Sequence, residues 1–172
     1  MRMFAGMIVL AAGILGNLGA APIQSVDVFT PGKENALLLF HRRDNSQIRN
    51  FPVSGNPITV DRADAPEAAY FDCQANPARN VPEFTRSTFR SRVFLPPGHP
   101  VRSFNLRLID ADDEVFQFSA TPPQGDGKWH EIAFAVDASR PEAGHWGGGA
   151  KADGKLTMPV RFRGVTGDFA GK

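Results

Sequence analysis

The sequence predicts an all-β protein built as a two-sheet antiparallel β-sandwich of the jelly-roll type. Apolar and polar residues alternate with a period of two in several consecutive segments, and no segment beyond the N-terminal residues has helical periodicity. The 17 glycines and 14 prolines suit many short strands joined by turns. With 172 residues, 42% of them hydrophobic, the chain has material for one packed domain of seven or eight strands.

Residues 1–21 have the pattern of an export signal. Met1-Arg2 precedes an apolar run from Phe4 to Leu15, and small residues follow at Gly19-Ala20-Ala21. The run is shorter than the roughly 20 apolar residues that a spanning helix needs, which favours a cleaved signal over an uncleaved membrane anchor. We therefore expect a β-sandwich domain over residues 22–172, secreted or periplasmic and with no membrane attachment after signal cleavage.

Charge and cysteine usage exclude several classes of protein. Lys plus Arg number 19 against 18 for Asp plus Glu, so no global field draws in nucleic acid, and we expect no nucleic-acid partner. Cys73 is the single cysteine, which rules out an intramolecular disulfide. Its apolar neighbours predict a buried small hydrophobe. The alternative is a nucleophile served by one of the histidines, but no nucleophile signature surrounds it.

Turn signals divide the chain into its predicted strands. The stretches "ALLLF" and "RNFPV" are predicted strands, and Ser54-Gly55-Asn56-Pro57 is a predicted turn. Residues 61–82 predict a long loop with one short strand from Ala69 to Cys73. Residues 110–114 predict a hairpin turn. Near the C-terminus, Met158 to Arg163 predicts a strand, and "GVTGDFAGK" after it reads as the lead-in to a further strand.

The alternation assigns side chains to faces. In "STFRSRVFL" the residues Phe89, Ser91, Val93 and Leu95 share one face, and the arginines between them share the other. Trp129 lies one residue out of phase with Ile132 and Phe134, the inward-facing residues of its predicted strand. A β-bulge near His130 or Glu131 would bring it into the core. The predicted core comprises Leu38, Phe104, Leu106, Leu108, Phe116, Phe118, Ile132 and Phe134.

The motifs "FNLRLIDAD", "GKWHEIAF" and "HWGGG" in this order give the chain a family resemblance. It resembles the galactose-binding-like jelly-roll modules that accompany bacterial glycoside hydrolases and act as carbohydrate-binding modules. The resemblance implies a poly- or oligosaccharide ligand, a catalytic domain following on the C-terminal side, and often a structural Ca²⁺. Such modules usually close with a last strand, so either the fold closes differently here or the chain is a fragment that lacks that strand.

A sugar-binding site requires aromatic rings that pack on the C–H faces of the sugar and planar polar groups that bind its hydroxyls. On the faces away from the core, such residues could line one sheet surface. For the charged candidates the alternative is a solvated outer face, and for Trp146 it is a loop anchored on the core. Tyr70 is expected in the core with a partner for its hydroxyl. The candidate ligand-binding residues are Trp146, Arg90, Arg92, Asn105, Arg107 and Gln117.

Catalytic and metal motifs are absent from the sequence. Glycoside hydrolysis needs two carboxylates flanking the bond, and the Glu-x-Asp-x-x-Glu strand motif of laminarinase-type sandwiches does not occur. Neither a Gly-x-Ser-x-Gly elbow nor a His-x-x-x-His or Cys-x-x-Cys pair occurs. We assign no catalytic residue, no cofactor and no metal ligand, although Asp/Asn-rich turns can supply oxygen atoms to a structural Ca²⁺.

Two functions from different classes remain. The first is a non-catalytic carbohydrate-binding module, the N-terminal accessory part of a longer secreted glycoside hydrolase. The second is a structural β-sandwich scaffold without its own sugar site. A small stand-alone hydrolase is a third candidate. Exposure of Trp146 beside Asn105, Arg107 or Arg92 would favour the first function over the second.

Overall fold

The computed structural model describes residues 10–14, 25–30, 33–53, 57–140 and 144–170. Within these ranges the chain forms strands and two short 3₁₀ turns but no α-helix. No helix in the described ranges is long and apolar enough to cross a membrane. The described strands are β1 (Leu10–Ile14), β2 (Ser25–Phe29), β3 (Ala36–His41), β4 (Gln47–Val53), β5 (Tyr70–Asn80), β6 (Arg86–Phe94), β7 (Val101–Ile109), β8 (Glu114–Ala120), β9 (Trp129–Asp137), β10 (His145–Gly147) and β11 (Arg161–Phe169).

The strands form two antiparallel sheets. One has four strands in the order β2-β1-β6-β9, and the other has seven in the order β10-β8-β7-β11-β5-β3-β4. Buried apolar residues from both sheets make one hydrophobic cluster, in which Phe29 of β2 and Phe162 of β11 have ring centroids 5.8 Å apart. The predicted all-β class is confirmed, and the arrangement is consistent with a β-sandwich.

The predicted faces match the observed burial. All eight predicted core residues are buried, and so are Phe89, Ser91, Val93 and Leu95 on the inner face of β6 and just after it. The arginines between them are exposed. Alternation therefore located the core because each strand presents one face to it and one face away from it. The hairpin turn at 110–113, between β7 and β8, is also as predicted.

Strand β5 corrects the predicted loop. Residues 70–80 form one 11-residue strand instead of a short strand inside a long loop. Its inner residues Phe71, Cys73 and Ala75 are buried, and β3 and β11 pair with it on either side. The alternation was present in the sequence, but Asn76-Pro77 obscured it because proline usually ends a central strand.

Strand β11 corrects the predicted C-terminal segment. The strand begins at Arg161 and runs to Phe169, so most of the expected lead-in is itself strand. It lies in the interior of the larger sheet, between β7 and β5. Its glycines serve packing: a Cβ on Gly164 would lie 2.2 Å from the backbone oxygen of Cys73, and one on Gly167 would lie 2.3 Å from the ring of Phe71.

Trp129 is not a core residue. It begins β9 in regular register opposite Phe94, without the expected bulge, and 40% of it is exposed. Its ring packs against Phe94 and under the guanidinium of Arg92. Regular pairing keeps Trp129 on the outer face, because the inner residues of β9 are Ile132, Phe134 and Val136.

Two predicted segments fall partly or wholly outside the described residues. Of the predicted export signal, residues 1–9 and 15–21 lie outside them, while Leu10–Ile14 form β1, paired with β2 and β6. Of the turn at 54–57, only Pro57 is described, and β4 ends just before it at Val53.

Replacing Leu106 with Ala tests the core. Leu106 is fully buried in β7, so its removal is expected to lower the free energy of unfolding by about 2–5 kcal/mol through lost burial and the cavity left behind. Arg90→Ala, on the exposed face of β6, is expected to cost less than about 1 kcal/mol. Urea unfolding of both variants measures the difference. Equal losses would contradict the assignment of faces.

Candidate functional site

The outer face of the seven-stranded sheet carries a continuous set of polar side chains. Alternate residues of β5, β7, β8 and β11 point away from the core, and in these strands they are mostly polar. Antiparallel register brings them side by side, with Thr166 between Asp72 and Asn105, and Gln117 opposite Arg107. We call the concave region over this face the outer-face pocket. Its volume is about 510 Å³, and it is lined by His41, Asn45, Tyr70, Asp72, Gln74, Arg107, Gln117, Trp146, Arg163 and Asp168.

Arg107 is the centre of the pocket. Its Nη1 donates to Oδ2 of Asp72 at 2.6 Å, and its Nε donates to Oε1 of Gln117 at 3.1 Å. The Arg107 and Asp72 side chains are only 13% and 2% exposed, so this is a nearly buried ion pair. The guanidinium carbon also lies 5.7 Å from the ring centroid of Tyr70 and 5.0 Å from that of Trp146. One arginine therefore orders both aromatic walls of the pocket.

Asp72 keeps an unused acceptor. Its Oδ2 accepts from Arg107 and, at 2.7 Å, from Nε2 of Gln74, but its buried Oδ1 has no hydrogen-bond partner among the described residues. Buried carboxylate oxygens are normally hydrogen-bonded. Asp72 thus keeps a buried acceptor atom that no described group satisfies.

Tyr70 and His41 form one wall. Their rings stack with centroids 4.7 Å apart and planes within 7°, and the Tyr70 hydroxyl donates to Oδ1 of Asn45 at 3.0 Å. Desolvation raises the pKa of Tyr70, so its hydroxyl stays protonated at neutral pH. The expected hydroxyl partner exists, but Tyr70 lines the pocket and is only partly buried, which corrects its expected place in the core.

Trp146 forms the opposite wall and is 41% exposed. It lies in the short edge strand β10, where it pairs with Val115 of β8. Its exposure beside Arg107 is the arrangement that, in the sequence analysis, distinguishes a binding surface from a scaffold.

A buried carboxylate fixes the segment that carries Trp146. Glu114, fully buried, bonds to Nδ1 of His145, and its Oε2 accepts from the backbone N–H groups of Asp153 and Gly154 at 3.1 and 3.3 Å. At the same turn, Asp110 accepts from three backbone N–H groups, including that of Thr157 at 3.2 Å. These carboxylates belong to the predicted hairpin turn, and their role is to anchor the 145–157 segment.

The structure brings together some of the predicted ligand residues. Trp146, Arg107 and Gln117 line the outer-face pocket. Asn105 lies on the same face but is buried beside the pocket, where its amide donates to Thr166 and Asp168 and accepts from Ser119. Arg107 is nearly buried instead of lying on a solvated face.

Arg90 and Arg92 lie elsewhere. Both project from β6, which belongs to the four-stranded sheet, so they do not share a surface with Arg107. Arg90 pairs with Glu131, and Arg92 lies 5.7 Å over the ring of Trp129. Alternation shows which face of a strand a residue lies on but not which sheet the strand joins. The sequence analysis therefore grouped Arg90 and Arg92 with the candidates of β7 and β8.

Several pocket residues were missed in the sequence analysis. Those on β5 had a usable signal, because Tyr70, Asp72 and Gln74 alternate with buried residues. Asp168 had the same signal within β11. His41 had it as well, because it alternates with the buried Leu38 and Phe40 of β3. Asn45 had none, since its place depends on how the turn after β3 folds.

Metal binding finds no support in the described residues. Nowhere in the described ranges do three or more His, Cys, Asp or Glu side chains come together in a way that could hold a metal ion. The acidic residues at 110–114 are committed to backbone N–H groups, His145 and Arg161. A structural Ca²⁺ stays an expectation that comes from the resemblance.

No protein-family model matches the chain, and searches of curated proteins and of solved structures likewise found no match.

Removing Arg107 tests whether the buried pair supports the site. Arg107→Ala leaves the Asp72 carboxylate buried without its cation and is expected to lower the free energy of unfolding by about 3–5 kcal/mol. The matched control is Arg86→Ala, which breaks the solvent-exposed pair with Asp137 and should cost far less stability. Urea unfolding compares the two. Similar small losses would show that the Arg107–Asp72 pair contributes little.

Thiol labelling tests the position of Cys73. The residue is buried, as predicted, and burial raises the pKa of its thiol to about 12. Because the thiolate is the reactive form, the native protein is expected to resist iodoacetamide at pH 8 and to react fully in urea. Stoichiometric labelling of the folded protein would contradict this and reopen the thiol-hydrolase alternative.

Proposed function

We propose that the protein is a non-catalytic carbohydrate-binding module and that the outer-face pocket is its sugar site. The observation that carries the proposal is the half-exposed Trp146 ring held beside the Arg107 guanidinium at the pocket. An aromatic face packs on the C–H face of a pyranose, while the planar donors of arginine and amide groups bind its hydroxyls. The aromatic ring and the planar hydrogen-bonding groups occur together on the described part of this sheet.

The remaining lining residues suit a polyhydroxylated ligand. Gln74 and Gln117 contribute amides that donate and accept. Tyr70 supplies a second ring across from Trp146, ordered by the same arginine. The volume, about 510 Å³, falls within the roughly 300–1,000 Å³ typical of small-ligand sites.

The carboxylates that line the pocket favour binding over catalysis. Asp72 accepts charge-assisted hydrogen bonds from Arg107, and Asp168 accepts from the Ser103 hydroxyl and the Asn105 amide. A glycosidase needs one carboxyl group free to donate a proton and a second placed to attack or to activate water. Both groups here are engaged in holding the site.

The wider context follows from the resemblance seen in the sequence. We propose that the two sheets form a jelly roll of the galactose-binding-like type. The module would be secreted and would serve as the accessory part of a longer glycoside hydrolase. The antiparallel sheets around one core are consistent with that fold, and the polar outer face supports the binding role.

Replacing Trp146 with Ala tests the sugar site. Binding of soluble oligosaccharides, neutral and acidic, is measured by isothermal titration calorimetry. Loss of the ring is expected to weaken binding about tenfold or more, equivalent to about 1.4 kcal/mol. Trp129→Ala is the matched control, because Trp129 is equally exposed but lies on the other sheet, and it should bind like the unaltered protein.

The outcomes separate the candidate functions. Equal losses in the two variants would contradict the assignment of the site. No binding to any oligosaccharide would favour the scaffold function. The same preparations are expected to release no reducing sugar, and turnover lost on removing Asp72 or Asp168 would favour the hydrolase.

A further inference from the structure

The outer-face pocket continues into a longer groove. It shares Tyr70 and Asp168 with a neighbouring pocket of about 320 Å³. That pocket shares Arg43, Ala69 and Phe169 with a third pocket, of about 410 Å³, beside the turn that joins β3 and β4. The shared lining residues place the three pockets side by side, and we call this row of pockets the groove. A chain ligand seated against Trp146 can therefore reach the neighbouring pockets.

The far part of this groove is lined by arginines. We call this part the basic arm and define it as Arg42, Arg43, Arg62 and Arg102. Among the described residues, no carboxylate forms an ion pair with three of them, and Arg42 has only a long, exposed contact with Glu67 at 3.8 Å. The formal net charge of the whole chain is +1, so this concentration of cations is local.

The other carboxylates of the groove are already engaged. Asp44 accepts from the Ser46 hydroxyl at 2.6 Å and from its backbone N–H at 2.9 Å, and the hydroxyl bond lowers the pKa of Asp44. Asp168 accepts from Ser103 and Asn105. The guanidinium groups of the basic arm thus keep donors available for a ligand.

Part of the basic arm is held in position before any ligand arrives. The Arg62 guanidinium lies 4.9 Å from the Phe169 ring centroid, and its Nη1 donates to the carbonyl of Ala170 at 3.4 Å. The backbone N–H of Arg42 donates to the Ser46 carbonyl at 2.9 Å, which closes the turn that carries Arg42. Asn45 in this turn has a φ of 66°. Ordered cations lose less entropy on binding, which favours a charged ligand.

We propose that the glycan bound here is acidic, carrying carboxylate or sulfate groups that the basic arm binds while Trp146 and Tyr70 contact its sugar rings. The inference rests on the sugar-binding function proposed above and names its ligand class. Guanidinium forks match planar carboxylates and sulfate oxygens with two parallel hydrogen bonds. A neutral glycan would leave these donors unused. A nucleic acid is disfavoured because the chain as a whole is nearly neutral.

The test compares glycans that differ only in charge. Calorimetry measures binding of oligogalacturonate against its fully methyl-esterified form, and of a sulfated galactan oligosaccharide against its desulfated form. At least one charged member is expected to bind about tenfold or more tightly than its neutral partner, as charge-assisted hydrogen bonds allow. The advantage should shrink as salt is raised. The pair that shows the preference identifies carboxylate or sulfate as the source.

Variants test whether the arginines of the basic arm cause the preference for charged over neutral glycans. Arg43→Gln and Arg102→Gln remove exposed cations and should abolish most of the preference for the charged glycan over its neutral partner. The matched control, Arg140→Gln, lies in the turn after β9 and should keep the full preference. Urea unfolding checks that all three fold equally well.

Each contrary outcome is distinct. Equal affinity for charged and neutral glycans would overturn the acidic-ligand inference and leave sugar binding intact. No binding of any of the four oligosaccharides would overturn both the acidic-ligand inference and the proposed sugar-binding function. Tighter binding of an oligothymidylate than of either acidic glycan would overturn the inference in favour of a nucleic-acid ligand.

Discussion

The outer face of this protein depends on one nearly buried ion pair, Arg107 with Asp72. The two residues lie on β7 and β5, which are not neighbours, because β11 runs between them. In register, the residue of β11 opposite Arg107 is Gly164. This glycine permits the close backbone approach of β11 to β5, since a Cβ there would lie 2.2 Å from the backbone oxygen of Cys73. The sheet that carries the ion pair therefore depends on a residue without a side chain at this position.

A second constraint places the tryptophan. Burying Glu114 is costly unless both oxygens are bonded, and the partners that satisfy them, His145 and the backbone of residues 153 and 154, all belong to the segment around β10. The residues of β10 itself are exposed, and the buried apolar side chain of the segment is Leu156, ten residues after Trp146. The position of Trp146 thus depends on buried polar contacts at the start of β8. Arg107 then completes the site by stacking against the ring.

Alternation in the sequence correctly predicted the inner faces of β6 through β9, because burial on one side of a sheet imposes a period of two. It also led to Arg107 and Gln117, whereas Trp146 was identified as an aromatic residue in a glycine-rich segment. It failed where long-range pairing decides the outcome. Arg90 and Arg92 have the right spacing but lie on the other sheet, and Trp129 stays exposed because β9 keeps regular register. Gly164 and Gly167 resembled turn residues because the need for close strand approach is not visible locally.

The central claim is that ligand contacts the face between Tyr70 and Trp146. It is tested most directly by following the two indole N–H signals of ¹⁵N-labelled protein during titration with oligogalacturonate and with a neutral galacto-oligosaccharide. The account predicts that the Trp146 signal shifts with at least one of them while the Trp129 signal, on the other sheet, stays in place. A shift confined to Trp129, or no shift of either signal with both ligands, would contradict it.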